Sequence, residues 1–241
     1  MAGKPLVAVT GASSGIGEAV AKTFSAAGHP VLMMARRLER MEALNLPDSM
    51  ARKVDVRDRA AIAAAVKEAE EKYGPVDMMF ANAGIARLAD IGRQPPEEWD
   101  EMIDINTKGM LNTVHAVMSG MMERRRGTLF MMSSIAGRKV YPDHTVYCGT
   151  KFFVHAISES LRDYLSDYDV RVVVLSPGVI ETEVLDAVLD PKTLASYKAN
   201  KVKMGGGIGP EHVANLMLHA YQMPQNALVQ EIVITPTRQK Y

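Results

Sequence analysis

Thr10-Gly11-Ala12-Ser13-Ser14-Gly15-Ile16-Gly17 joins a short apolar run to a helical pattern, and its reading decides the fold. Residues 6–10 have the length and apolar character of a strand. Residues 16–27 carry apolar side chains three and four apart, as one face of a helix requires. Glycines between the two let the backbone turn tightly and approach a pyrophosphate, and the new helix offers free N–H groups at its positive end. The spacing is GxxxGxG and departs from the GxGxxG fingerprint. Alone, this turn fits an ordinary strand-to-helix connection as well as a dinucleotide cradle.

The same alternation continues along the chain. Runs at 31–35, 51–56, 76–80, 128–132, 170–175 and 228–234 read as strands, and residues 60–73 and 152–165 read as helices between them. Strands separated by helices imply right-handed crossovers and a parallel sheet covered on both faces. One α/β domain over residues 1–241 fits the length, since open α/β sheets of this size form one unit. Residues 183–210 break the rhythm. They lack a strand, contain Gly205-Gly206-Gly207, and suit a lid over substrate.

Composition narrows the functional classes. The chain is 47% hydrophobic and 23% charged, with 28 basic and 28 acidic residues. That balance provides no global field for nucleic acid or an anionic membrane. Cys148 is the only cysteine, so an intrachain disulfide is impossible. No signal peptide and no apolar run long enough to span a bilayer are read, and a cytoplasmic location is expected. The six histidines show no metal-ligand spacing, so no metal is expected. The 17 methionines fall on predicted strands and helices and read as core. Arg124-Arg125-Arg126 reads as a solvated face at a helix end.

In open α/β sheets ligands bind beyond the carboxyl ends of the strands, so the chemistry is sought just after each strand. The second strand runs into Arg36-Arg37 with no acid at the point where an NAD site places one for the ribose hydroxyl. A guanidinium there can grip a 2′-phosphate through paired hydrogen bonds, which favours NADP(H). Arg36 is expected to carry that preference, helped by Arg37 and the Ser14 hydroxyl.

Tyr147 and Lys151 stand four residues apart at the start of a helical stretch, so both project from one face. A phenol with a pKa near 10 is a poor acid–base catalyst at neutral pH, and a nearby cation lowers that value. Ser133-Ser134 end the fifth strand, thirteen residues before Tyr147.

Thr10 to Gly17, Asn82-Ala83-Gly84, Asn106, Ser134, Tyr147, Lys151 and Pro177-Gly178, taken in order, resemble the short-chain dehydrogenase/reductase family nearly end to end. Ala81 and the segment Cys148-Gly149-Thr150 depart from the commoner residues without touching a reacting group. The resemblance implies a doubly wound Rossmann fold with a seven-stranded parallel sheet. It also implies that Ser134 hydrogen-bonds the substrate oxygen, Tyr147 transfers the proton, and Lys151 lowers the tyrosine pKa and holds the nicotinamide ribose. Asn106 would anchor a water relaying protons to Lys151. The coenzyme would be held by Thr10, Gly11, Ser13, Ser14, Gly15, Ile16 and Gly17, by Asp55 and Val56 near adenine, and by Asn82, Ala83 and Gly84. Pro177, Gly178, Val179, Ile180 and Thr182 would hold the nicotinamide amide.

For substrate, the wall between Ser134 and Tyr147 carries Arg138, Tyr141 and His144, a set of donors suited to a carboxylate. The closing segment, with Arg238 and Gln239, resembles a subgroup of 3-hydroxy acid dehydrogenases, serine 3-dehydrogenase and clavulanic-acid-type aldehyde reductases. A small polar hydroxy acid or aldehyde is the expected substrate, in a homodimer or homotetramer. A general aldehyde/ketone or sugar-alcohol reductase and a non-catalytic NADP(H)-binding regulator are the alternatives. Retention of Ser134, Tyr147, Lys151 and Asn106 favours the enzyme.

Overall fold

Five- and six-residue runs with no polar face cannot form half-solvated strands, and they assemble here into the buried middle layer of a three-layer α/β domain. The structure is a computed structural model and describes residues 3–240; Met1, Ala2 and Tyr241, the ends of the expected domain, lie outside the described residues. The strands are β1 (Leu6–Thr10), β2 (Val31–Ala35), β3 (Ser49–Lys53), β4 (Val76–Ala81), β5 (Gly127–Met132), β6 (Val170–Pro177) and β7 (Glu231–Ile234). They form one parallel sheet in the order β3-β2-β1-β4-β5-β6-β7. The order reverses between β1 and β4, which opens a crevice above their carboxyl ends.

Eight helices complete the described layers: α1 (Gly15–Ala26), α2 (Leu38–Glu42), α3 (Arg59–Tyr73), α4 (Pro96–Ile103), α5 (Gly109–Glu123), α6 (Thr145–Ser166), α7 (Pro191–Lys203) and α8 (Pro210–Gln222). Alternate strand residues feed two apolar clusters, one on each face. Met34, Met79 and Met131 pack with Val114 and Val154 of α5 and α6. Met33, Met78, Phe80 and Phe130 pack with Val20 and Phe24 of α1 and Met217 of α8. The paired methionines of β2, β4 and β5 are thus core, split between the faces by strand alternation.

Three boundaries differ from expectation. β3 ends at Lys53; Val54 still donates to the Ala35 carbonyl, but Asp55 and Asp58 close a turn that lifts the chain off the sheet. β7 starts at Glu231, because Val174 of β6 reaches back no further than the Gln230 carbonyl. α6 begins at Thr145, well ahead of residue 152, so Tyr147 and Lys151 occupy its first two turns.

In the arginine triplet Arg125 and Arg126 are exposed, as a solvated face requires, and each also has an acidic partner. Arg126 donates to Asp77 at 2.8 Å, Arg125 pairs with Asp169, and Arg124 donates to the Val76 carbonyl. Asp77 also accepts from Tyr221 at 2.6 Å, while Arg171 donates to the terminal carbonyls of α8. These contacts close the amino-terminal edge of the sheet, opposite the crevice. Among the described residues no helix is long and apolar enough to cross a membrane.

Candidate active site

The first strand-to-helix turn is shaped by atoms that leave no room for side chains. Gly11 has φ of +67°, and a Cβ there would sit 2.8 Å from Asn82 Nδ2. A Cβ on Gly17 would meet the Gly11 carbonyl oxygen at 2.3 Å. The Thr10 hydroxyl accepts from the Asn82 and Ala83 N–H groups at 3.0 and 3.2 Å and donates to the Phe80 carbonyl. Asn82 Nδ2 in turn donates to the Thr10 carbonyl at 2.9 Å. The ends of β1 and β4 are locked together and line the floor of a cleft of about 1030 Å³.

The cleft brings together Gly11, Ser13, Ser14, Gly15, Ile16, Arg36, Arg37, Asp55, Val56, Asn82, Ala83 and Gly84 at one end. At the other lie Ser134, Tyr141, His144, Tyr147, Lys151, Pro177, Gly178, Val179, Ile180 and Thr182. Four expected site residues are absent from this lining. Thr10 and Gly17 stand behind it, because the hydroxyl of one and the missing side chain of the other serve backbone packing. Asn106 is buried in a π-helical turn, Asp104–Lys108, that interrupts α4 and α5. Its amide donates to the Ile85 carbonyl (2.9 Å) and Thr150 Oγ1 (3.2 Å), and its oxygen accepts from Ile85 N–H. Both of its N–H groups therefore serve the protein, holding the chain beyond Gly84 against α6.

Arg138 is the fourth, and its absence leaves the expected carboxylate-binding wall to Tyr141 and His144, which do line the cleft. Its guanidinium pairs with Glu231 of β7, whose other oxygen accepts from Ser176 at 2.7 Å. His155 Nε2 lies 3.3 Å from the same Ser176 hydroxyl. Behind Ser134, this set ties the turn at 134–138 to the end of β6. The partner of Arg138 lies 93 residues away, so local spacing could not reveal it.

At the catalytic end the Tyr147 phenol hydrogen-bonds Ser134. Lys151 Nζ lies 5.6 Å from the Tyr147 ring centre and donates to the Met132 carbonyl at 3.0 Å. Burial pushes the Tyr147 phenol above its usual range, against a lowering by the Ser134 hydrogen bond. Burial also lowers Lys151 to about 8. Desolvation is the largest influence on the Tyr147 phenol here, and the Lys151 ammonium uses one of its three N–H groups on the Met132 carbonyl. His144 stacks on Tyr197 of α7, with centroids 6.4 Å apart, and its Nδ1 lies 2.6 Å from Asp143. Cys148, next to Tyr147 on the helix, is buried.

Two participants escaped the sequence reading. Tyr197 lines the cleft from the 183–210 segment, where no motif marks it. Glu183 pairs with Arg37 and Arg40 across more than 140 residues of sequence. Lys203, Arg238 and Lys240 also line the outer cleft, and Gln239 Oε1 accepts from the Val179 N–H at 2.9 Å.

This cradle fits a nicotinamide dinucleotide: Gly11 lets its turn approach Asn82 and Ala83 with no side chain between, and hydroxyls, N–H groups and arginines line its length. Residues 5–192 match the family model described as short chain dehydrogenase. The chain is 34% identical to an uncharacterized oxidoreductase, Lmo0432, of Listeria monocytogenes over 98% of both chains. It is 36% identical to the glycine betaine reductase ATRR of Emericella nidulans, but spans only 19% of that much longer protein. The closed form of a serine dehydrogenase complexed with NADP+ superposes with a TM-score of 0.90 at 31% identity, covering 98% of this chain and 96% of that one. A serine dehydrogenase from Escherichia coli gives a TM-score of 0.85 at 30% identity, covering 98% of this chain and 100% of that one.

Proposed function

The chain belongs to the short-chain dehydrogenase family of oxidoreductases acting on CH–OH groups, and on that premise we propose an NADP(H)-dependent enzyme that interconverts a small polar hydroxy acid or aldehyde with its redox partner. The observation that carries this reading is one cleft with Ser134, Tyr147 and Lys151 at one end and Arg36 and Arg37 at the other. When bound, the coenzyme supplies or accepts the hydride. Ser13, Ser14, Gly15, Ile16, Asn82, Ala83 and Gly84 would hold it through hydroxyls and backbone. Asp55 and Val56 would hold its adenine end, and the stretch from Pro177 to Thr182 would hold the nicotinamide.

Ser134 holds the substrate oxygen through its hydroxyl. Tyr147, kept protonated by burial, donates to that oxygen in reduction and receives the proton in oxidation. Lys151 holds its ammonium below about pH 8 and steadies the phenolate when the proton leaves. Asn106 acts through the backbone it braces. Residues 183–210 act as the lid, bringing Tyr197 over His144 and Tyr147. Assembly as a homodimer or homotetramer and a cytoplasmic setting belong to the same reading.

With Arg138 engaged by Glu231, a substrate carboxylate finds its cations at the outer cleft, on Lys203 and Arg238. The test compares kcat/KM for a 3-hydroxy acid and its methyl ester, with NADP+ and NAD+, in wild type and Arg238→Ala. The acid should be preferred about tenfold, as one charged hydrogen bond permits, and the preference should shrink in the variant. Equal handling of acid and ester by both proteins would leave a general aldehyde/ketone reductase. Absence of turnover with any carbonyl would leave the binding regulator.

A further inference from the structure

Each of the three guanidinium nitrogens of Arg37 donates a hydrogen bond. Its Nε donates to Ser13 Oγ at 3.3 Å, one terminal nitrogen donates to Ser14 Oγ at 2.8 Å, and the other donates to Glu183 at 3.0 Å. Arg40 holds both oxygens of the same carboxylate, at 2.7 and 2.8 Å. Glu183 is the first residue of the short 3₁₀ turn Glu183–Ala187 that opens the 183–210 segment. It lines the cleft directly beside Arg36, Arg37 and Ser14. A lone carboxylate from the lid thus sits in the arginine cluster that the coenzyme reading assigns to the 2′-phosphate.

A 2′-phosphate at Arg37 would compete with Glu183 for the same guanidinium charge and for the N–H groups that now point at the carboxylate. A phosphate of nearly two negative charges beside an ionised Glu183 also meets direct repulsion, whereas a ribose hydroxyl meets none. We propose that Glu183 is a coenzyme-discriminating residue: its carboxylate occupies Arg37 and Arg40 until a 2′-phosphate displaces it, and that displacement frees the first turn of the lid.

The consequences are specific to the phosphate. A 2′-phosphorylated dinucleotide binds against the cost of removing Glu183, and an unphosphorylated one leaves the clasp closed. The far side of the segment is held separately, because Arg87 donates to the Ala187 carbonyl at 2.7 Å and Arg93 pairs with Asp190 at 3.2 Å. Opening is therefore confined to the end over the pyrophosphate, around Thr182 and Glu183. Thr182 packs against Gly15 there: a Cβ on Gly15 would meet Thr182 Cγ2 at 3.0 Å.

This inference rests on the NADP(H) reading, and the experiment separates the two. Dissociation constants for 2′,5′-ADP and 5′-AMP, and for NADP+ and NAD+, are measured by calorimetry on wild type and Glu183→Gln. Amide hydrogen exchange across residues 182–187 is followed in the same samples. Glu183→Gln should tighten 2′,5′-ADP and NADP+ about five- to tenfold, the size of one or two exposed ion pairs, and shift 5′-AMP and NAD+ less than about twofold. Exchange at 182–187 should rise in the ligand-free variant, in ligand-free Arg40→Gln, and in wild type on 2′,5′-ADP, but not on 5′-AMP. A wild type binding 2′,5′-ADP no better than 5′-AMP overturns the coenzyme reading and this inference with it. A wild type that prefers 2′,5′-ADP, with a variant that binds it unchanged or more weakly, overturns this inference alone.

Discussion

Tyr147 and Lys151 lie close enough to interact, yet burial drives their protonation in opposite directions: the phenol keeps its proton and the ammonium loses its own at about pH 8. Tyr147→Phe keeps the ring packing of the cleft wall and removes only the transferable proton. Turnover should fall by about a hundredfold or more, the usual weight of positioned proton transfer, while calorimetric coenzyme affinity stays within about twofold. A variant retaining wild-type kcat would remove Tyr147 from the chemistry. Lys151 makes a separate prediction through stability. Its folded pKa is below its ordinary 10.5, so between pH 8 and 10.5 the unfolded chain binds more protons, and rising pH favours the fold. Lys151→Met lacks this contribution. The wild-type-minus-variant stability from urea melts should therefore climb across that window, by at most about 3 kcal/mol, and a flat difference would show that Lys151 is not desolvated.

At the scale of elements, α7 matters because it carries Tyr197 to the cleft, and its start depends on one residue. Asp190 accepts from the Thr193 N–H at 3.1 Å and from the Thr193 hydroxyl at 2.7 Å, and pairs with Arg93. Pro191 follows at the first helical position, where its missing N–H costs nothing. Asp190→Ala should cost about 1 kcal/mol of cap energy. The loss should appear as faster amide exchange over residues 191–197 and a higher KM, with coenzyme affinity unchanged. An unaltered exchange pattern would mean that packing alone starts α7. Helix ends of this kind were legible in part. The Asp190-Pro191 pair is a start signal, yet the 183–210 segment read only as strandless, because its apolar residues are too sparse for a clear helical period.

For the whole molecule, the sheet supports the cleft from below, and its centre is independent of the chemistry above. Phe130 of β5 is fully buried against α1 and α8 residues, on the face away from α6. Phe130→Ala should destabilise by about 3–5 kcal/mol. For a chain of this length that lowers Tm by roughly 6–20 °C. Coenzyme affinity measured well below the new Tm should be retained, since the ends of β1 and β4 are locked by Thr10 and Asn82. A loss of affinity in the folded variant would show that the sheet transmits core strain to the cleft.

Strand runs without a polar face, glycines at Gly11, Gly15 and Gly17, and Tyr147 four residues before Lys151 are local patterns. Each follows from backbone sterics or helix periodicity, so local pattern was enough for the parallel α/β sheet, the tight glycine turn after β1 and the shared helix face of Tyr147 and Lys151, while the roles expected of them came from the family resemblance. The tertiary structure alone decided who answers whom across the chain. It paired Arg138 with Glu231, set the Asn106 amide on the Ile85 backbone, gave Arg125 and Arg126 acidic partners at the amino-terminal end of the sheet, and placed Glu183 on Arg37 and Arg40. The reason is physical. A long charged side chain reaches whichever opposite charge the fold brings near, and that partner has no fixed distance along the sequence.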